Sequence, residues 1–393
     1  MHYLDNSSTT QPSETAREAL LRASLIWGNP SSTHKMGMEA KRLLEESRKT
    51  VARVIGGAPA PGDTLVFTAT GTEANNISLL GCALSKKRDR ANPGTIVISE
   101  GEHPSVENPA ALLEREGFTL VRVPTRGGAL DLDYLESALK TATSPVIYSC
   151  FMLVNNETGA LYDVKAASSL VKRYFPDANT HCDAVQGFLK MKFTPRSLGV
   201  DTLTVSAHKI NSYRGAAALY VSGNIIKRKN ITSPMPGGGQ ESGLRSGTEN
   251  LLSIAAFAAA AEDGCKNLAA RAEKIKKLRA MLDEELDAKL IPLGVKPNLP
   301  ENHVDAILNL SLPGIKSETM LNYLSVRDIC VSAGSACSAH SHKKSAALAA
   351  FGVSPRDADC ALRISLGDTN TEEDISALSV SLADGIRSLQ RMK

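Results

Sequence analysis

Between about residue 60 and residue 221, short apolar and β-branched runs alternate with longer stretches of mixed polarity. The runs are Thr64-Leu65-Val66-Phe67, Thr95-Ile96-Val97-Ile98, Thr119-Leu120-Val121-Arg122-Val123, Val146-Ile147-Tyr148-Ser149 and Thr202-Leu203-Thr204-Val205. Strands spaced by helix-length segments predict a largely parallel sheet with helices on both faces. A further strand ends at His181-Cys182-Asp183. Such a sheet gathers its chemistry in the crevice beyond the carboxyl ends of its strands, so the residues just after each run are the ones to inspect.

After Thr248 the pattern turns to an Ala-, Glu-, Lys- and Leu-rich helical region reaching about Ala288, followed by Pro292, Pro297 and Pro300. A second domain is expected to begin within that helix. The alternation Ala306-Ile307-Leu308-Asn309-Leu310-Ser311-Leu312 predicts a strand with one buried face, and Thr371 to Arg391 an amphipathic helix.

A chain of 393 residues is long for one small core and fits two domains. Its 45 Lys and Arg against 42 Asp and Glu leave a net charge of +3, too small a field to imply nucleic acid as a partner. The longest apolar stretch, Leu251 to Ala261, contains Ser253 and is well short of the roughly 20 residues that span a bilayer, so no membrane partner is expected. The N-terminus lacks the basic flank and apolar segment of a secretory signal, and the seven cysteines include no Cys-x-x-Cys pair. Both point to a cytoplasmic protein with free thiols.

Thr68-Ala69-Thr70-Gly71-Thr72-Glu73-Ala74-Asn75-Asn76 follows the first run. Backbone amides at a helix start, with Thr hydroxyls and an unobstructed Gly, form a cup for a phosphate; the plainer reading is a Thr N-cap. The segment lacks the lysine of the nucleotidase phosphate loop, and no Gly-x-Gly-x-x-Gly follows a strand, which disfavours ATP and NAD enzymes. Asp183 at one strand end and Lys209 after the next suit a pyridine cofactor, the carboxylate holding its ring nitrogen protonated and the amine binding its aldehyde. The competing reading makes Asp183 a cap and Lys209 a solvated residue. His103 is placed to lay its imidazole on a ring and serve in proton transfer, or to act as a structural hydrogen-bonding residue. In Asn155-Asn156-Glu157-Thr158-Gly159 an Asn can donate to a phenolic oxygen or a substrate carboxylate, or simply make a turn.

Cys337 lies in Gly334-Ser335-Ala336-Cys337-Ser338-Ala339-His340-Ser341-His342. A cysteine among small residues has little to pack against, which favours an exposed nucleophilic thiolate. His340 and His342 either tune that thiolate or join it as metal ligands; no metal site is expected. Arg363, inside an apolar run, needs an anion, either a substrate carboxylate held by a bidentate clamp or a structural salt-bridge partner. The glycine-rich Gly237 to Thr248 segment offers a phosphate contact or a subunit interface, although flexibility alone would account for its glycines.

In order and over essentially the whole chain, these segments resemble the cysteine desulfurases, pyridoxal-phosphate enzymes of the class V aminotransferase group. The matching segments also include Tyr3-Leu4-Asp5-Asn6-Ser7-Ser8-Thr9-Thr10, Gly28-Asn29-Pro30-Ser31-Ser32 and Arg245-Ser246-Gly247-Thr248. The resemblance implies an α/β, fold-type-I homodimer: a large domain over 15–260 with a mostly parallel seven-stranded sheet, and a smaller α+β domain from 1–14 and 261–393 that carries the cysteine loop. It implies pyridoxal 5'-phosphate as cofactor, with Lys209 binding its aldehyde and Asp183 its ring nitrogen, and with His103 stacked on the ring. Gly71, Thr72, Ser206 and His208 would hold the phosphate, joined by Thr248 from the neighbouring subunit. Gln186 and Asn156 would reach the ring oxygen or the substrate, and Arg363 the substrate carboxylate.

The implied reaction converts L-cysteine to L-alanine and leaves the sulfur as a persulfide on Cys337, for an acceptor protein such as an iron–sulfur scaffold. A selenocysteine lyase or another class V enzyme is the alternative, and a non-catalytic assembly partner a further one. Ile210-Asn211-Ser212-Tyr213-Arg214-Gly215, following the lysine, departs from the family's usual Gly-Pro-Lys before that last glycine, as do His340 and His342.

Overall fold

The architecture comes from a computed structural model that describes residues 1–56, 60–86, 93–333 and 345–391. Its strands are β1 (His2–Tyr3), β2 (Thr64–Thr68), β3 (Thr95–Ser99), β4 (Thr119–Val123), β5 (Val146–Cys150), β6 (Asn179–Asp183), β7 (Thr202–Ser206), β8 (Ala217–Val221), β9 (Lys296–Pro297), β10 (Ile307–Ser311), β11 (Ile329–Cys330) and β12 (Ala361–Ser365). Seven of them form one sheet in the order β2-β8-β7-β6-β5-β3-β4. β8 is antiparallel to both of its neighbours, while the pairs from β7 to β4 are parallel. β2 therefore runs with the others, and six strands present their carboxyl ends along one edge. Strands β3, β5, β6 and β7 are buried throughout, as a sheet covered on both faces requires.

The main core lies against one face of the sheet, and two smaller clusters, around Ile96 and Ile98 and around Val66 and Leu219, fill the other. Phe257, on the helix Leu251–Lys266, meets Phe67 and Phe188 edge to face at centroid distances of 6.4 and 6.5 Å. That helix packs against two others, Glu14–Ser24 and Lys35–Gly56. The long helical region expected after Thr248 is two helices, Leu251–Lys266 and Leu268–Glu285, separated at Asn267.

A second core combines Leu278 and Leu282 with Leu308, Leu310, Ile364, Leu378 and Leu382, and Leu4 joins it from the N-terminus. β1 enters as a parallel partner of β11. The strand expected over 306–312 differs in one respect: β10 is buried on both faces. It lies between β9 and β12, and its polar face is covered because Asn309 donates to the Glu157 carbonyl at 3.3 Å and accepts from Asn298 at 2.7 Å. Gly159 makes this contact possible: its φ is +77°, and a Cβ there would sit 2.9 Å from the Ile307 carbonyl. The Asn155–Gly159 turn is thus pressed between the two cores.

Candidate active site

A cavity of about 260 Å³ opens where the strand ends meet the second core. Thr70, Gly71 and Thr72 reach it from the end of β2, and His103 and Ser105 from beyond β3. Met152, Val154 and Asn156 follow β5, and Asp183 and Gln186 follow β6. Ser206, His208 and Lys209 come from β7, with Ser7, Ser8 and Arg363 supplied by the N-terminal segment and β12. A larger cavity, about 620 Å³, lies around Arg48, Asp63, Asp201 and Tyr220. There Tyr220 donates to Asp63 at 2.6 Å and Lys172 pairs with Asp201 at 2.5 Å, so its acidic groups are matched. The smaller cavity holds the chemistry.

At its phosphate end both readings of the cup are present. Thr70 Oγ1 accepts from the Glu73 amide at 3.1 Å, capping the helix Gly71–Lys86. Gly71 faces inward, where an added Cβ would lie 3.2 Å from Val185 and 3.7 Å from Ser206. The Ser206 hydroxyl is buried without a hydrogen-bond partner, a donor available to an anion at this helix start. His208 is pushed down to about 4 by burial and by Lys209, Arg214 and Lys190, so it serves there as a neutral imidazole.

Asp183 is almost buried, accepting from Asn75 Nδ2 at 2.8 Å and from the Val185 amide at 3.0 Å. Lys209 Nζ donates to the carbonyls of Ser7 and Ser8 at 2.5 and 2.8 Å, so its ammonium is met by the N-terminal segment instead of open water. His103 caps the helix Pro104–Arg115 through Nδ1, which accepts from the Ser105 amide at 3.1 Å. Burial lowers its pKa; Asp183 opposes that shift and Lys209 adds to it. Behind it the Glu102 carboxyl, pushed up to about 8 by burial, accepts from Ser99 Oγ and from the Met152 amide.

Arg363 is 2% exposed. Nη2 donates to Asp5 at 2.8 Å and to Ser8 Oγ at 2.6 Å, and Nη1 to the Asn156 carbonyl at 3.0 Å. The salt bridge therefore exists, yet Nε stays buried and unpartnered, and the side chain lines the cavity. Gln186 donates to Ser7 O at 2.9 Å and accepts from Lys190 at 3.2 Å.

The chain is matched over residues 2–378 by the family model described as aminotransferase class-V. The chain belongs to that family. It is 36% identical over 381 residues to a NifS/IcsS protein homolog of Lactobacillus delbrueckii subsp. bulgaricus, covering 95% of this chain and 94% of that one. To the cysteine desulfurase IscS 1 of Archaeoglobus fulgidus it is 32% identical, with 100% and 98% of the two chains covered. Among solved structures, a NifS-like protein from Rickettsia africae superposes with a TM-score of 0.86 at 31% identity over 98% of this chain and 99% of the other.

In this class-V chain the structure gathers Gly71, Thr72, His103, Asn156, Asp183, Gln186, Ser206, His208, Lys209 and Arg363 around one cavity. Thr248 is not among them; it lines a small cleft with Thr68, Ala69, Gly215 and Asn250. Cys337, His340 and His342 lie outside the described residues. Among the described residues no His, Cys, Asp and Glu cluster is arranged for a metal, and no helix is long and apolar enough to cross a membrane. Sequence reasoning assigned no role to Ser105 or Lys190, or to Asn75 beyond its place in the cup. Lys190, four residues after Gln186, had a spacing signal, whereas Ser105 had none.

Proposed function

We propose that this chain is a pyridoxal-phosphate-dependent cysteine desulfurase. The observation that carries this reading is the convergence of Lys209, Asp183 and His103 on one cavity, with the unpartnered Ser206 hydroxyl at the helix start of the cup. These groups fit the cofactor: an anion cup, a buried carboxylate for a ring nitrogen, an imidazole for a ring face and an amine for an aldehyde. Gly71, Thr72, Ser206 and His208 would hold the phosphate, with Thr248 of the partner subunit completing the cup in a homodimer. When bound, pyridoxal phosphate acidifies the α-carbon of an attached amino acid by delocalising the charge left there.

The chain's own residues supply the remainder. Arg363, aided by Asn156, takes the α-carboxylate, with its buried Nε as a free donor. Gln186 would bond the ring oxygen or the substrate, and Lys209 Nζ, near the Ser7 and Ser8 carbonyls, would remove the α-proton as the neutral amine. The Cys337 thiolate then attacks the substrate sulfur. An S–S bond forms as the C–S bond breaks; the electron pair stays with the alanine skeleton, which takes up a proton, and a persulfide remains on Cys337. The sulfur passes to an acceptor protein of the iron–sulfur scaffold type, in the cytoplasm.

Mass spectrometry of the full chain after exposure to L-cysteine tests this reading. One added sulfur on Cys337, together with free alanine, is the expected result. A Cys337 of unchanged mass and no alanine, in protein that shows the near-400 nm absorbance of bound pyridoxal phosphate, rejects it.

A further inference from the structure

Four buried side chains between β6 and the helix Pro104–Arg115 form one hydrogen-bonded line, and the direction of every bond in it can be deduced. Asn75, Ser105, Asp183 and His181 are each at most 6% exposed. A carboxylate only accepts, so the nitrogen of the Asn75 amide faces Asp183 Oδ2, at 2.8 Å. The same nitrogen donates its second hydrogen to Ser105 Oγ at 2.8 Å. Ser105 Oγ accepts there, leaving its own hydrogen for His103 Nδ1, also at 2.8 Å.

The backbone supplies an independent check. The Ser105 amide is 3.1 Å from His103 Nδ1, and a backbone N–H can only donate, so Nδ1 is an acceptor. From the other end, Asn75 Oδ1 is left for His181 Nε2 at 3.1 Å, which therefore donates. His181 Nδ1 is then an acceptor facing the hydroxyls of Thr202 at 2.9 Å and Ser78 at 3.2 Å. Burial pushes His181 down to about 3, so it remains a neutral donor. The Asp183 carboxylate fixes the orientation of Asn75, and a neutral His181 protonated on Nε2 complements it.

We propose that Asn75 is a positioning residue that, through Ser105, holds His103 as a neutral imidazole with its proton on Nε2. This deepens the pyridoxal-phosphate reading and rests on it for its catalytic meaning. An imidazole accepts a further proton only at its lone pair, and here the Nδ1 lone pair is already engaged by two donors. His103 is then a ring to lay against the cofactor and a hydrogen-bond donor through Nε2, and proton transfer falls to Lys209. The charged groups acting on His103 are Asp183, within this line, which favours its cation, and Lys209, outside it, which disfavours it. The carboxyl of the adjacent Glu102 is turned to Ser99 and the Met152 amide.

The test is an NMR titration of the full chain labelled at histidine carbon and nitrogen, without added ligand, the His103 signals being assigned by their loss in His103→Gln. The neutral form should carry its proton on Nε2. Ser105→Ala and Asn75→Leu should each raise the His103 pKa by about half a unit to one unit, because each loosens a donor that stabilises the neutral ring. Ser105→Thr, which keeps the hydroxyl, should stay near wild type. A neutral His103 protonated on Nδ1, or an unmoved pKa in Ser105→Ala with wild-type circular dichroism, overturns the proposal. Ser105→Ala decides alone if Asn75→Leu fails to fold. Failure of the desulfurase reading would appear instead as missing alanine with these shifts intact.

Discussion

Glu102 shows how an ordinary carboxyl is altered by where its side chain ends up. Fully buried behind His103, with its pKa pushed up to about 8, it stays protonated in the folded chain over a range in which the unfolded chain has lost that proton. The folded state binds more protons there, so stability should fall as pH rises from about 4.5 towards 8. Glu102→Gln keeps an acceptor for the Met152 amide and does not titrate. Urea unfolding across this range should give a flatter pH profile for Glu102→Gln than for wild type, and parallel profiles would contradict the account. Such behaviour is illegible in the dipeptide Glu102-His103. The sequence marks His103 because it follows a strand, but the shift at Glu102 needs the burial that only the folded chain supplies, with Asp183 adding to it and the bonds from Ser99 and Met152 opposing it. Lys209 and Asp183 were legible for the opposite reason, since their positions at strand ends follow from the strands themselves.

At the scale of elements, the glycine-rich segment before Leu251 is secured by charge. Glu241 and Ser242 both have left-handed φ, +50° and +59°, a conformation that costs a non-glycine residue energy unless its surroundings hold it. Arg48, from the helix Lys35–Gly56, grips the buried Glu241 carboxylate through Nη1 and Nη2 at 2.5 and 2.9 Å, and the Phe67 amide adds a third bond at 2.8 Å. Arg245 fastens the far end of the segment to Glu73, on the cup helix, at 2.9 Å. Arg48→Ala would leave a buried carboxylate without its cation and should destabilise the fold by about 3–5 kcal/mol, read as a lowered thermal midpoint. A change under about 1 kcal/mol would mean that the Phe67 amide alone suffices. Periodicity marked the parallel strands here but missed β8, since nothing in Ala217-Ala218-Leu219-Tyr220-Val221 announces its reversed direction. That direction follows from the short link over residues 207–216, which holds no crossover helix to carry the chain back to the starting end of β7.

For the whole molecule, the position of Thr248 is the informative feature. It lines a cleft beside β2 and does not reach the Lys209 cavity of its own chain, which is consistent with a phosphate contact made across a homodimer. Thr248→Ala should then weaken pyridoxal-phosphate retention by about tenfold, the scale of one hydrogen bond to a charged group, while light scattering still reports a dimer. Wild-type protein diluted until it dissociates should lose cofactor in parallel. Monomers that retain it as tightly as dimers would place the complete phosphate site within one chain. What the sequence by itself determined was the run of parallel strands and the chemistry at their ends, because backbone propensity and strand periodicity are local and place Thr70, His103, Asp183 and Lys209 wherever a strand stops. Only the tertiary structure decided which polar atoms are satisfied and which are left for a ligand. The pairing of Arg363 with Asp5 and the line from His181 through Asn75 to His103 each join residues distant in the chain, and their energies depend on burial that exists only after both cores have formed.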